Sequence, residues 1–430
     1  MERTYIKDLQ EHVGKSVKVC GFVQTIRKQG GIMFLILRDV TGTIQTVVLK
    51  GDSEVFEEAG KLSLESVIEI EGNVKEEMQA PSGFEMKADK ITILSKAEPE
   101  LPIPIVEEKG GEETDVTKRL DWRYVDLRKE KNLKIFKVWT ELERGFRKYF
   151  EDAGYLQIYT PSFMGTASET GADVFEVKYF EGKAYLAQSP QFYKQMAMAS
   201  GFEKVFVMGP VFRAEPSFTS RHMTEFTGWD FEISYISSHE DVMAEEERLL
   251  VAGFTQLKEK LGLAVEVPSI PFPKMTMEEA KKKLEKIGAK SGKKGDLTGE
   301  EEIALSEIVK KETGHDFVFV TDWSIEFRPF YHMRHKANPL LTKSFDLLYK
   351  GVEVTTGAQR EHRYEILKSQ ALEKGMDSKV LEDYLNFFKY GCPPHGGVGM
   401  GPGRLIMKIL DLPSVKEATY LPRDVKRLRP

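Results

Sequence analysis

The sequence predicts an α+β protein of two domains: a small N-terminal β-barrel, then a larger domain with a mainly antiparallel sheet flanked by helices. Three observations predict it. Short runs rich in β-branched and aromatic residues recur between Ser16 and Leu94, with turn signals between them. Beyond Asn132, strand-like runs mix in irregular order with long amphipathic helices, unlike regular βαβ repetition. No G-x-G-x-x-G or G-x-x-x-x-G-K-[ST] motif follows a strand, so doubly wound and P-loop folds lack support.

The barrel strands are VKVCGFV, IMFLILRD, TIQTVVLK, SVIEIEGNV and KITIL. Gly30-Gly31 and the turn from Asp39 to Gly42 suit hairpins, and GKLSLES supplies the longer link between third and fourth strands that an OB-fold has. Such a barrel commonly binds oligonucleotides on its strand 2–3 face, although other five-stranded Greek-key barrels fit the same runs. From Ala97 to about Asn132 the chain begins Pro-rich and acidic and ends Arg-rich, as an interdomain connection does. The expected domains are therefore a barrel over 1–103, a hinge over 104–131 and a second domain over 132–430.

In the second domain Ile135, Phe136, Trp139, Leu142, Phe146, Tyr149 and Phe150 recur at helical spacing, and Gly154 stops the helix. YLQIYTP, AYLAQS, KVFVMGPVF and FEISYI read as strands, and a second long helix runs from about His239 to Gly262. An insertion is expected at about 263–317. Its stretch from Glu278 to Glu302, dominated by Lys, Glu and Gly, reads as helical and is assigned no catalytic role. Strand signals resume at DFVFVTDW, FDLLYKGVEVTTG and GGVGMG, and a helix with a basic tail closes the chain.

Composition excludes several classes. At 41% hydrophobic and 30% charged, the 430 residues can build a sizeable core, which rules out disorder and a collagen-like chain. Cys20 and Cys392 are far apart and outside any C-x-x-C pattern, so a cysteine-built zinc site lacks ligands. With 62 Lys and Arg against 68 Asp and Glu, the net charge of −6 leaves any nucleic-acid partner to a local patch. Residues 1–50, with eight Lys and Arg against four Asp and Glu, offer one. No run of about eighteen apolar residues occurs, and the opening MERTYIKDLQ has no signal-like apolar core. A cytoplasmic protein that does not engage membranes is expected.

Two clusters carry chemistry. Phe212-Arg213-Ala214-Glu215 is followed by Arg221-His222-Met223-Thr224-Glu225-Phe226, with Asp230 and Glu232 on the next strand-like run. Strand, loop and strand could clamp a nucleotide: Arg213 on an α-phosphate, Arg221 and His222 on the outer phosphates, Phe226 stacked on a purine and Glu215 accepting from its amino group. The Arg-Glu pair also reads as a structural ion pair, and the cluster alone does not decide. The second cluster is Gly399-Met400-Gly401-Pro402-Gly403-Arg404, where glycines admit a ligand to the backbone and Arg404 opens a helix. A single Gly-rich turn is a weak signal.

Together with Pro161 in YFEDAGYLQIYTP, these clusters resemble motifs 1, 2 and 3 of the class II aminoacyl-tRNA synthetases, in order, over most of the chain. The N-terminal barrel resembles the anticodon-binding domain of the subclass that charges Asp, Asn or Lys. QSPQFYKQ, TEFTGWDFE, GVEVTTGAQREHR and YGCPPHGGVGMG look like the archaeal and eukaryotic type of aspartyl-tRNA synthetase. Two departures stand out: Gly403, where relatives usually carry Glu or Asp before the arginine, and Thr356, where a Ser is frequent but the hydroxyl is kept.

The resemblance implies ATP and Mg²⁺, aspartate and tRNA(Asp) as partners, and a homodimer through motif 1; whether tRNA(Asn) is also charged depends on one anticodon base. It puts ATP on Arg213, Glu215, Arg221, His222, Met223, Phe226, Arg328, Glu353, Gly401 and Arg404, with Arg213 and Arg404 as catalytic residues. Aspartate falls to Glu169, Ser189, Gln191, Lys194, Asp230, Thr356 and Arg360. Physical chemistry agrees on substrate choice, because Arg360 offers a planar fork for a side-chain carboxylate and Lys194 a second cation that a carboxamide cannot satisfy. Asp346, Glu353 and Thr356 are the implied Mg²⁺ ligands. If FDLLYKGVE were one strand, the odd separation would put the two carboxylates on opposite faces, so a bend is needed, with Gly351 the candidate. Arg27, Phe34, Gln45 and Glu85 are the implied anticodon contacts, although both faces of IMFLIL are apolar and periodicity alone leaves Phe34 as readily in the core. The rivals are an asparaginyl-tRNA synthetase and a catalytically inactive synthetase-like nucleic-acid-binding protein.

Overall fold

Apolar alternation closes a barrel in the first of two units, Met1–Lys129. The computed structural model describes residues 1–106, 112–165, 174–289, 295–377 and 379–430. Strands β1 (Ser16–Gln29), β2 (Ile32–Arg38), β3 (Thr43–Leu49), β4 (Val67–Glu76) and β5 (Phe84–Ser95) close in the order β1-β2-β3-β5-β4. On β2 the alternation has one outcome: Met33, Leu35 and Leu37 fill the barrel, while Ile32, Phe34 and Ile36 stay half-buried on the other face. The link between β3 and β4 holds a helix that the sequence reading missed, α1 (Ser53–Gly60). β5 also begins earlier than KITIL, because Phe84 to Lys87 pair with β4. The stretch read as a hinge contains α2 (Val116–Asp121), whose N-terminus is capped by the Asp115 side chain, and α3 (Arg123–Asp126).

The second unit, Glu130–Pro430, is built on an eight-stranded sheet among the described residues. It opens with α4 (Glu130–Asp152) and β6 (Leu156–Gln157). Pro161 therefore lies in the loop beyond β6 and does not end that strand. A small sheet of β7 (Phe163–Met164), β8 (Glu176–Tyr179) and β9 (Gly182–Leu186) follows, then α5 (Gln191–Ala199), β10 (Lys204–Phe212), β11 (Glu225–Ser234) and α6 (His239–Leu261). The insertion holds β12 (Lys274–Thr276), α7 (Met277–Lys286) and α8 (Gly299–Thr313), both helices begun by a capping box. Next come β13 (Phe317–Thr321), β14 (Ser344–Tyr349), β15 (Val352–Gln359), α9 (Tyr364–Glu373), α10 (Glu382–Lys389), β16 (His395–Met400) and α11 (Pro402–Ile409).

The large sheet runs β12-β13-β14-β15-β16-β11-β10-β6, antiparallel except for the edge pairs β12-β13 and β10-β6. The expected α+β class is the observed one. Helices α4, α6 and α11 contribute Leu142, Phe146, Leu250, Phe254 and Ile406 to one core, together with Trp229, Phe231 and Val398 of the sheet. A Cβ on Gly145 would sit 2.9 Å from the Gly253 Cα, so α4 and α6 approach at a pair of glycines. The insertion is part of a second core, contrary to its polar composition: Leu305 and Val309 of α8 pack with Val318, Val320 and Leu348. Apolar residues at helical spacing within a Lys- and Glu-rich stretch suffice for that.

Candidate active site

Strand register assembles the site. Asp230 of β11 lies opposite Gly399 of β16, Gly399 opposite Thr356 of β15, and Thr356 opposite Asp346 of β14. One row across four strands thus carries two carboxylates and a hydroxyl, with a glycine between them. A Cβ on Gly399 would come 3.3 Å from Asp230 Oδ2, and one on Gly397 would run into Glu232 Oε2. The bare strand lets both carboxylates lie across it.

A cavity of about 930 Å³ opens on this row, lined by Ser189, Gln191, Arg213, Glu215, Arg221, His222, Met223, Phe226, Asp230, Arg328, Glu353, Thr356, Arg360, Gly401 and Arg404. Lys194 and Asp346 are buried behind lining residues, 2.8 Å from Asp230 and Arg328 respectively. Glu169 lies outside the described residues.

Lys194, on the first turns of α5, and Arg360, just past β15, converge on the fully buried Glu232. Lys194 Nζ is 3.4 Å from Glu232 Oε2 and 2.8 Å from Asp230 Oδ2, and it donates to the Val398 carbonyl at 3.0 Å. Arg360 donates from Nε to Glu232 Oε1 at 2.9 Å and from Nη2 to the Gly397 carbonyl at 2.9 Å. Its Nη1 meets His332 Nε2 at 2.9 Å, and burial, then Arg360 itself, keeps that imidazole well below its usual range and hence an uncharged acceptor. Burial alone would raise the Glu232 carboxyl, but Arg360 and then Lys194 hold it below the ordinary carboxylate value. Two buried cations and two carboxylates therefore balance at the wall of the cavity.

Asp346 and Glu353 share a face, but not by a bend within one strand. FDLLYKGVE is a hairpin, turning at Lys350 and Gly351 with φ of 47° and 83°. A bulge follows: Leu347 pairs with Thr355 and Leu348 with Glu353, leaving Val354 unpaired. Val354 and Thr355 are both buried, whereas Glu353 accepts from the Thr356 hydroxyl at 3.0 Å at the cavity. The hairpin alone sets Glu353, opposite Leu348, on the face of Asp346; the extra residue brings Thr356, not Thr355, onto that face. Burial pushes the Asp346 carboxyl up, Arg328 opposes this, and Glu353 adds to it; Glu353 is held down by Arg404 and Arg328 against its own burial.

At the other clusters, the Arg213 guanidinium lies 5.4 Å from the Phe226 ring centroid. Arg404 donates to the carbonyls of Arg221 (3.3 Å) and Glu353 (3.1 Å). Arg221 pairs with Glu302 of α8, and His222 bonds Thr219; burial and then Arg404 lower the His222 pKa. Gly403 is buried where a Cβ would sit 3.0 Å from Val415 Cγ2, so an acidic side chain there would need Val415 to move. Several buried polar atoms at the cavity have no hydrogen-bond partner among the described residues: Gln188 Oε1, Gln191 Nε2, Arg328 Nε, His332 Nδ1 and, behind the wall, Asp346 Oδ1. Such a concentration of unmet donors and acceptors marks a place built for a polar ligand.

The model of class II tRNA synthetases (D, K and N) matches residues 115–425, more than half of the chain. The chain belongs to that synthetase family. Residues 17–94 match the OB-fold nucleic acid binding domain. The synthetase is 42% identical to the aspartate–tRNA(Asp/Asn) ligase of Aeropyrum pernix, over 97% of this chain and 96% of that one. It is 39% identical to the aspartate–tRNA(Asp) ligase of Pyrococcus abyssi, over 99% of both. Among solved structures, the asparaginyl-tRNA synthetase of Pyrococcus horikoshii with asparaginyl-adenylate superposes with a TM-score of 0.92 at 33% identity, covering 100% of both chains. The aspartyl tRNA synthetase from Entamoeba histolytica gives 0.88 at 31% identity, covering 100% of this chain and 93% of that one.

In the synthetase's barrel, register puts Arg27 opposite Phe34 and Gln45 opposite Ile36, two residues from Phe34 on β2, so all three side chains share the face outside the barrel core. Gln45 donates to Glu85 at 2.7 Å, and Lys75 pairs with Glu85 at 2.8 Å. Sequence reasoning assigned no role to Glu232, His332 or Glu302. Glu232 was legible as the i+2 neighbour of Asp230 on one strand face. Glu302 sits in a highly charged stretch and carried no signal.

Proposed function

We propose that the protein attaches L-aspartate to tRNA(Asp) in two steps at this cavity, in the cytoplasm. The α-carboxylate of aspartate attacks the α-phosphorus of ATP, an O–P bond forms, and pyrophosphate leaves; the 3′-hydroxyl of the terminal adenosine of tRNA then attacks the activated carbonyl and releases AMP. No side chain serves as nucleophile. Positioning and charge do the work: Arg213 faces the phosphate that gains charge, with Phe226 and Arg404 bracketing the purine.

The single observation that carries the choice of amino acid is Arg360 at the cavity wall beside Asp230, with Lys194 behind it on the same carboxylates. Arg360 meets the substrate's side-chain carboxylate, Glu232 and His332 fix the direction of its fork, and Asp230 takes the ammonium. A carboxamide in that place would give up the charge-assisted hydrogen bond that a carboxylate makes with Arg360. The family uses ATP, and the unmet Asp346 Oδ1, with Glu353 and Thr356 on the same face, suits a hard cation. Those residues would hold Mg²⁺, which when bound neutralises phosphate charge. The outer barrel face bearing Arg27, Phe34 and Gln45 stacks and reads an anticodon base. The exposed aromatic side chains Tyr159, Phe163, Tyr179 and Phe180, near Pro161, support a homodimer through that segment.

Aspartate, and not asparagine, is expected to drive ATP–pyrophosphate exchange, and transcripts of tRNA(Asp) and tRNA(Asn) then report which acceptors are charged. Exchange with asparagine alone would establish the rival synthetase, and no exchange with either amino acid the inactive one.

A further inference from the structure

Four residues from four separate segments form a closed ring at the cavity. Glu302 Oε2 accepts from Arg221 Nη1; the Arg221 carbonyl accepts from Arg404 Nε at 3.3 Å; Arg404 Nη1 donates to the Glu353 carbonyl at 3.1 Å; and the Glu353 N–H returns to Glu302 Oε2 at 3.2 Å. Arg221, Glu353 and Arg404 belong to segments already tied to the nucleotide. Glu302 does not: it is on the first turn of α8, in the insertion, and is 7% exposed. Its removal opens the ring at both of its bonds.

Two further observations show that α8 is fitted to this place. The Arg221 guanidinium lies so close to Gly299, the first residue of α8, that a Cβ there would come 2.8 Å from Nη2. The hairpin turn at Gly351 abuts the same helix turn, since a Cβ on Gly351 would be 3.0 Å from the Ile303 Cα. One carboxylate and one bare backbone position thus fix the guanidinium from two sides. Nη1 is occupied by Glu302 and Nη2 lies against Gly299, while Arg221 lines the cavity.

We propose that Glu302 is a positioning residue for the nucleotide: through this ring the insertion helix sets Arg221 against the outer phosphates of ATP and keeps Glu353 in register with it. The inference rests on the cavity being the ATP site. Because both bonds end on the same oxygen, an amide oxygen can keep them. Glu302→Gln therefore retains the ring and loses only its charge, whereas Glu302→Ala loses both bonds.

The test is ATP–pyrophosphate exchange with the full-length protein, reading KM for ATP and for aspartate separately. Glu302→Ala is expected to raise KM for ATP by about tenfold or more while KM for aspartate stays within about twofold, and Glu302→Gln to raise KM for ATP by less than about threefold. Gly299→Ala, which displaces the guanidinium without touching Glu302 and favours the helix, should raise KM for ATP with no loss of melting temperature. Unchanged KM for ATP in Glu302→Ala and Gly299→Ala would overturn the proposal, as would an equal rise for both substrates, which is what a structural role produces. If the wild type itself gave no exchange, the reading of the cavity would fall, a result distinct from either.

Discussion

Replacing Glu232 by Gln tests the charge balance on which the amino-acid site depends. The side chain is fully buried, and its two oxygens hold Arg360 Nε at 2.9 Å and Lys194 Nζ at 3.4 Å. The isosteric amide leaves the shape intact and removes one of two anions, so two buried cations face Asp230 alone. Breaking a buried pair on one side costs about 3–5 kcal/mol. For a unit of this size, 1 kcal/mol corresponds to about 2 °C, so the melting temperature should fall by roughly 6–10 °C in scanning fluorimetry. One of the two oxygens becomes an amide nitrogen facing a cation, so Arg360 and Lys194 are no longer both anchored, and kcat/KM for aspartate in pyrophosphate exchange should fall at least about tenfold, while KM for ATP moves by less than about threefold. A variant that melts within about 2 °C of the wild type and keeps its aspartate kinetics would refute the reasoning. It would mean that Lys194 and Arg360 find their positions without Glu232.

Two other measurements bear on separate parts of the molecule. Burial pushes Glu246 of α6 up to about 8 from 4.5, opposed by the Thr355 hydroxyl, so the native state binds a proton that the unfolded chain has released between those values. Stability is then lost as pH rises through that window; Glu246→Gln should flatten the decline, raising the melting temperature at pH 8.5 by several degrees and changing it little at pH 5. In the barrel, Phe34→Ala removes a half-buried ring that lies outside the core, so KM for tRNA should rise about tenfold in aminoacylation while tRNA-independent exchange is unchanged.

Much of this protein could be read from its residues because the signals are local. Period-two runs mark the barrel strands and period-3.6 runs mark α4 and α6, whereas the clusters around Arg213 and Arg404 stay ambiguous by themselves and take their meaning from the family resemblance. α1 escaped notice since SEVFEEAG is short and mostly polar, and the insertion looked peripheral since its few apolar residues are diluted by Lys and Glu.

Long-range geometry was decided only by the folded chain. Hydrophobic alternation on β2 is the same on both faces, so only closure of the barrel could tell which side Phe34 takes. Asp346 and Glu353 share a face because the chain turns back in a hairpin between them, and Thr356 joins them through a one-residue bulge, which depends on the partner strand, not on local preference. Arg360 and Lys194 are 166 positions apart in the sequence, yet both are held by Glu232 because β11, β16 and β15 lie side by side with glycines between them and α5 packs on β11. Residue types fixed what chemistry was available; strand register, which sums contacts over hundreds of residues, determined which of those groups meet.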